Sequence, residues 1–163
     1  ADCLNPYSMS KWMGEQVCKL YNQLYCVPSI VLRYFNVYGP REPLKGEYAP
    51  VIGLFKRQVN SNKPMTVVSP GTQKRDFTYI DDVVAANICA MNSNVANIPF
   101  NVYNIGTGKN YSIFEIADMI GGLVRIISER PAEVSETLAD IESTVRDLGW
   151  RPKYSLQEKI NSY

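Results

Sequence analysis

The chain has 163 residues, 45% of them apolar and 20% charged, with a formal net charge of +1. That is the balance of one ordinary globular domain. It gives no electrostatic footprint for nucleic acid or an anionic membrane surface, and no apolar run approaches the roughly 20 residues of a membrane helix. Histidine is absent, so His-based triads, His metal ligands and His general bases are excluded.

The first predicted element is a helix over residues 7–25. Asn5-Pro6 is its start signal, and Trp12, Met13, Val17, Leu20 and Leu24 recur at roughly helical spacing. Pro28 closes the link. Residues 29–35, Ser-Ile-Val-Leu-Arg-Tyr-Phe, are β-branched and apolar and read as a buried strand. Residues 36–45 read as a loop carrying Gly39, Pro40 and Pro43. A helix follows over 50–60, then a short strand over Met65–Val68 ended by Pro70-Gly71, then an extended piece over 76–80.

Asp81 or Asp82 is expected to cap a helix running to about Asn92. Residues 100–105 read as a strand, leading into the loop Gly106-Thr-Gly108. Ser112 with Glu115 forms a capping box for a helix ending at Gly121. Residues 124–128 read as a strand and 139–148 as a helix stopped by Gly149. Ser155 with Glu158 is a second capping box. Short strands separated by helices make the fold class α/β.

Without histidine, proton transfer in any enzyme built from this chain falls to Tyr, Lys, Asp, Glu or Cys. Tyr7 and Lys11, at i and i+4, share a helix face one turn apart. A nearby ammonium favours the phenolate and lowers the pKa of a tyrosine, which is otherwise near 10. A phenol tuned this way can exchange a proton with a substrate hydroxyl. The same spacing also occurs by chance on a solvated helix face. Cys3, Cys18, Cys26 and Cys89 show no C-x-x-C spacing, so no metal site is expected. Scattered single cysteines fit a reducing compartment, and the expected location is the cytoplasm.

Several motifs follow one another in a set order. They are Asn5-Pro-Tyr-Ser-Met-Ser-Lys11, Leu32-Arg-Tyr-Phe-Asn-Val-Tyr-Gly-Pro-Arg41, Arg75-Asp-Phe-Thr-Tyr-Ile-Asp-Asp82, Tyr103-Asn-Ile-Gly-Thr-Gly108 and Arg130-Pro-Ala-Glu-Val134, followed by Leu138-Ala-Asp140. Together they resemble the extended short-chain dehydrogenase/reductase family of NAD-dependent nucleotide-sugar epimerases and dehydratases. Arg33-Tyr-Phe-Asn36 and Gly46-Glu-Tyr-Ala-Pro-Val-Ile52 are most similar to the UDP-glucose and UDP-N-acetylglucosamine 4-epimerases. Dehydratases and decarboxylases of the same family are the alternative enzymes. A non-catalytic binding or interaction module is the alternative of another class.

The resemblance implies a role for each matching residue. Tyr7 is the catalytic acid/base. Lys11 lowers its pKa and holds the nicotinamide ribose, so both also bind cofactor. Tyr34 and Phe35 lie against the nicotinamide end of NAD, and Asn36 reaches the substrate diphosphate region. Tyr48 and Ala49 belong to the substrate-binding loop. Thr66 and Val68 dock the uracil through backbone groups. Arg75 and Arg130 clamp the diphosphate, for which a guanidinium fork is well suited. Glu133 meets the uridine ribose.

The implied reaction is a reversible oxidation at C4 of a UDP-sugar, with a 4-keto intermediate and hydride return to its other face. By the same resemblance, residues 1–47 end a Rossmann-like doubly wound sheet. Residues 48–163 form mainly a smaller substrate domain, with about 76–95 returning to the first. The intact enzyme is implied to be a homodimer.

Some features take the plainer reading. Arg33 and Arg41 are expected to pair with nearby carboxylates. Tyr79, Tyr103 and Tyr111 are expected to be core or loop aromatics. Gly106-Thr-Gly108 is read as a strand-to-helix loop and not as a dinucleotide fingerprint. Two segments depart from the family pattern: Ser69-Pro-Gly71 stands in place of a Gly-acidic-Gly turn, and the stretch before Arg130 is short. No G-x-x-G-x-x-G follows a first strand, although a dinucleotide-binding βαβ unit needs one. The expectation is therefore a piece of a longer enzyme, without tight NAD binding or turnover by itself, with a split enzyme completed by another chain and a non-catalytic remnant as the alternatives.

Overall fold

A computed structural model describes residues 3, 5–43, 50–93, 100–130 and 133–163. The first helix, α1 (Pro6–Tyr25), begins where Asn5 and Ser8 cap each other. The Asn5 side chain accepts from the Ser8 N–H at 2.8 Å, and the Asn5 N–H donates back to the Ser8 hydroxyl. Pro6 at the first turn has no N–H to leave unpaired. The helix stops at Cys26, which is left-handed and donates its N–H to the Asn22 carbonyl at 2.9 Å.

The predicted strand over 29–35 is β1 (Ser29–Tyr34), and a second strand, β2 (Asn36–Tyr38), follows just beyond it. Phe35 is the step between them. Its N–H still donates to the Ile105 carbonyl, after which the chain moves to a new partner. Residues 36–38, expected as loop, are thereby recruited into a sheet by tertiary pairing. Next come α2 (Val51–Asn60), β3 (Met65–Val68), β4 (Lys74–Tyr79) and α3 (Ile80–Asn92). They are followed by β5 (Phe100–Ile105), β6 (Asn110–Ser112), α4 (Ile113–Ile120), β7 (Val124–Ile127), α5 (Glu142–Leu148) and α6 (Leu156–Lys159). Both predicted capping boxes form, Ser112 with Glu115 and Ser155 with Glu158.

Two expectations are corrected. Neither Asp81 nor Asp82 caps α3. The N-cap is Tyr79, without a side-chain bond, and both aspartates lie in the first turn. The Asp82 carboxylate is buried and accepts the N–H groups of Lys153 and Tyr154 at 3.0 and 3.2 Å. It is an anchor for the C-terminal segment, a role set by a contact distant in sequence. The helix expected from 139 begins only at Glu142. The Ala139 N–H is bonded to the Asp76 carboxylate, and the Asp140 side chain accepts from the Glu142 N–H. Those bonds hold residues 139–141 out of the helix.

The fold is α/β, and among the described residues the strands form three small sheets. β1 pairs parallel with β5, β3 pairs parallel with β7, and β4 lies between β2 (parallel) and β6 (antiparallel). One core joins Ile52 and Phe55 of α2, Met65 and Val67 of β3, Phe77 of β4, and Ile113 and Ile116 of α4. Fully burying a large apolar side chain of this kind is worth about 1.5–3 kcal/mol. A second core joins Val83 and Ala86 of α3 to Ile105 and Trp150. Tyr79, Tyr103 and Tyr111 are buried aromatics, as expected.

α1 stands apart energetically, because none of its residues is buried. It is tied to β1 by a two-pronged pair in which the Arg33 guanidinium meets Glu15 at 2.7 and 2.6 Å. Arg33 is thus structural, and Glu15 holds its pKa above the ordinary arginine value. Arg41 makes no ion pair among the described residues.

Candidate active site

Tyr7 and Lys11 occupy the first two turns of α1, and the helix brings them together as their spacing requires. The Lys11 ammonium is 5.3 Å from the centroid of the Tyr7 ring. Tyr7 is 60% exposed. Tyr34 ends β1, is also exposed, and donates its hydroxyl to the Asn87 side chain at 2.9 Å. Phe35 is half-buried at the step between strands, and exposed Asn36 opens β2 opposite Phe77.

A second constellation lies on β4. The Arg75 guanidinium meets the Glu133 carboxylate at 3.0 Å and also donates to the Lys74 carbonyl at 2.8 Å. These partners fix the plane of the fork on a side chain only 12% exposed. The segment that carries Glu133 lies along the start of β4. The Lys74 N–H donates to the Ser135 carbonyl, and the Thr137 N–H donates to the Lys74 carbonyl. Arg130 is exposed ahead of that segment. Two of the predicted substrate residues, Arg75 and Glu133, are thus in direct contact.

Thr66 and Val68 lie on β3, in a different sheet from β4. Their edge is dressed by glutamines. Gln58 accepts the Thr66 N–H at 2.9 Å and donates to its hydroxyl at 2.8 Å, while Gln73 donates to the Val68 carbonyl at 3.1 Å. Tyr48 and Ala49 lie outside the described residues.

Sequence reasoning missed Asp76. It is fully buried, and its carboxylate accepts from the Thr107 N–H, the Thr107 hydroxyl, the Gly108 N–H and the Ala139 N–H at 2.7–3.2 Å. Its only signal in the sequence is its place beside Arg75. The same bonds settle the reading of Gly106-Thr-Gly108, whose N–H groups at 107 and 108 face a carboxylate and so cannot cradle a phosphate. Among the described residues, no group of three acidic or cysteine side chains is placed to hold a metal. Nor is any helix long and apolar enough to cross a membrane.

For a dinucleotide, the residues fit one end. Tyr7 and Lys11 are exposed together in the first two turns of α1, whereas Tyr34 is bonded to Asn87 of α3, on the face of β1 opposite to Arg33 and α1. A glycine cradle for the pyrophosphate is not among the residues of this chain.

Comparison with known proteins locates this arrangement in a family. Residues 2–106 match the NAD dependent epimerase/dehydratase family. A putative UDP-glucose 4-epimerase of Methanocaldococcus jannaschii is 39% identical, over 96% of this chain and 51% of the relative. A UDP-glucuronate 4-epimerase of Thermodesulfobacterium geofontis is 33% identical, over 96% of this chain and 48% of the relative. The crystal structure of UDP-glucuronic acid 4-epimerase from Bacillus cereus, in complex with UDP-glucuronic acid and NAD, superposes with a TM-score of 0.87. That match has 32% identity and covers 96% of this chain and 50% of the other. The chain spans about half the length of the curated relatives it matches. With the family pattern over most of its length and the matching fold, this chain belongs to the NAD dependent epimerase/dehydratase family.

Proposed function

We propose that this chain carries the proton-transfer pair and the UDP-sugar side of an NAD-dependent enzyme that inverts C4 of a UDP-hexose through a 4-keto intermediate. The observation that carries the reading is the pairing of Tyr7 and Lys11 on one exposed face of α1, in a chain of this family. Tyr7 takes the proton of the sugar hydroxyl as the carbon is oxidised and returns it on reduction. Lys11 places its ammonium 5.3 Å from the Tyr7 ring centroid, within reach of the same ligand. NAD, when bound, supplies the redox step. Its nicotinamide end would be held by Tyr7, Lys11, Tyr34 and Phe35.

On the substrate side, Arg75 and Arg130 grip the diphosphate, Glu133 orients the uridine ribose, and Asn36 reaches the diphosphate region. Thr66 and Val68 meet the uracil, sharing or displacing the bonds of Gln58 and Gln73. Tyr48 and Ala49 are assigned to the substrate by the family pattern alone. The hexose is UDP-glucose or UDP-galactose. In the intact protein, residues 1–47 end the cofactor domain and 48–163 form mainly the substrate domain, with 76–95 returning to the first. We further place the intact enzyme in the cytoplasm as a homodimer.

The test joins the first half of the Methanocaldococcus jannaschii relative to this chain. With NAD, the chimera is expected to interconvert UDP-glucose and UDP-galactose. The 163-residue chain alone is expected to turn over neither. Tyr7→Phe in the chimera should lower kcat by about 10²–10⁴, the scale of a lost general acid/base. A folded chimera whose Tyr7→Phe variant works as well as its parent overturns the reading.

A further inference from the structure

Asp76 poses a physical question. An ionised carboxylate that is fully buried must replace its water with strong partners or cost several kcal/mol. Among the described residues no cation is bonded to it, and its partners are neutral donors. One oxygen accepts from the Thr107 N–H at 2.9 Å and the Thr107 hydroxyl at 2.7 Å. The other accepts from the Gly108 N–H at 2.9 Å and the Ala139 N–H at 3.2 Å. That fills the roughly four acceptor directions a carboxylate has. The Asp76 N–H in turn points to the Thr137 hydroxyl at 3.4 Å.

The groups gathered there come from separate parts of the chain. Thr107 and Gly108 follow β5. Thr137 and Ala139 belong to the irregular strip that carries Glu133. The approach is close enough to require glycine: a Cβ on Gly106 would collide with the Ala139 methyl and come within 2.9 Å of the Asp76 carboxylate. A further anchor is Asn110, opposite Asp76 on β6. Its amide donates to the Glu136 carboxylate at 2.6 Å and the Thr137 carbonyl at 3.3 Å.

Successive side chains on a strand point to opposite faces. Arg75 and Asp76 are neighbours on β4, so Asp76 anchors the strip on one side while Arg75 meets Glu133 from the other. The register in which the strip lies along β4 sets where Glu133, and Arg130 just before it, meet a ligand. We propose that Asp76 is a positioning residue for the diphosphate and ribose end of the substrate site, acting through the strip that carries Arg130 and Glu133. This rests on the reading of Arg75, Arg130 and Glu133 as the UDP-binding residues.

The probe is UDP itself, titrated calorimetrically into the full 163-residue chain well below its melting temperature. Amide exchange at Thr107, Gly108, Thr137 and Ala139 is followed in parallel. Asp76→Asn puts an NH₂ against N–H donors. It is expected to speed exchange at Thr137 and Ala139 and to weaken UDP by about tenfold, 1.4 kcal/mol. Asn110→Ala leaves the buried carboxylate intact and loosens the same strip. It carries the test if Asp76→Asn does not fold.

A purely structural role is separated by coupling. Arg130→Ala should weaken UDP in the parent chain and cost almost nothing further in the Asp76→Asn or Asn110→Ala background. Wild-type UDP affinity in a folded Asp76→Asn chain overturns the proposal. So does a full, additive loss from Arg130→Ala in both backgrounds. A parent chain that protects these amides yet binds no UDP overturns the site reading and the positioning role with it. A parent chain that binds UDP with Thr137 and Ala139 unprotected overturns the anchor alone.

Discussion

At the scale of single residues, a carboxylate's surroundings decide what it does. Asp76 and Asp82 are both buried, and each gathers backbone N–H groups from far along the chain. Glu42 is the opposite case. One of its carboxylate oxygens is buried without a hydrogen-bond partner, and burial raises its pKa above the usual carboxylate value, against the lowering pull of Arg57 and Lys56. A raised folded-state pKa means stability that is full below the unfolded value and is lost as pH rises through the folded one. Glu42→Gln should therefore raise Tm by about 2 °C at pH 7 and match the parent near pH 4. Melting curves at the two pH values check this, and a lower Tm at pH 7 would count against it. None of this is legible in the sequence, because an acidic letter does not disclose its neighbours.

At the scale of elements, local rules performed well where helices begin with their own caps. The boxes before α4 and α6 are written in four consecutive residues, so sequence alone locates them. They also set an acid limit. The Ser112 N–H, followed by its hydroxyl, holds the Glu115 carboxyl below its ordinary pKa, and the Ser155 hydroxyl, followed by its N–H, does the same for Glu158. A depressed folded-state pKa gives stability that is full above the unfolded value, near 4.3, and is lost as pH falls through the folded one. Glu115→Gln keeps an acceptor at that position but cannot titrate. It is expected to flatten the fall in Tm between pH 5 and pH 3, and an unchanged slope would argue against the cap. Ser112→Ala should cost about 1 kcal/mol at pH 7 and less below pH 3, where Glu115 is protonated, measured by urea denaturation. Where an element's ends depend on distant partners, as at β2 and the start of α5, local rules gave the wrong boundary.

At the scale of the whole molecule, α1 is the outlier. Tyr7, Met13, Val17, Leu20, Tyr21 and Leu24 are all about half exposed or more, on a helix with no buried residue. Apolar surface of this extent on one helix favours association. The 163-residue chain is expected to self-associate with rising concentration in analytical ultracentrifugation. Met13→Glu with Leu20→Glu should shift it toward monomer without lowering Tm, because neither side chain is in a core. Concentration-independent sedimentation of the parent chain would refute this.

By itself, the sequence determined the α/β class, most elements, the family pattern and the i, i+4 pairing of Tyr7 with Lys11. The class, the elements and the pair depend on short-range periodicity or on spacing within one helix, and the family pattern on the order of short motifs along the chain. Tertiary structure alone decided that Arg75 reaches Glu133, 58 positions along, that Asp76 ties the 106–108 loop to Ala139, and that Asp82 is an anchor and not a cap. Those outcomes depend on which backbone donors are folded against a given side chain, and that is fixed by strand register and not by neighbouring letters.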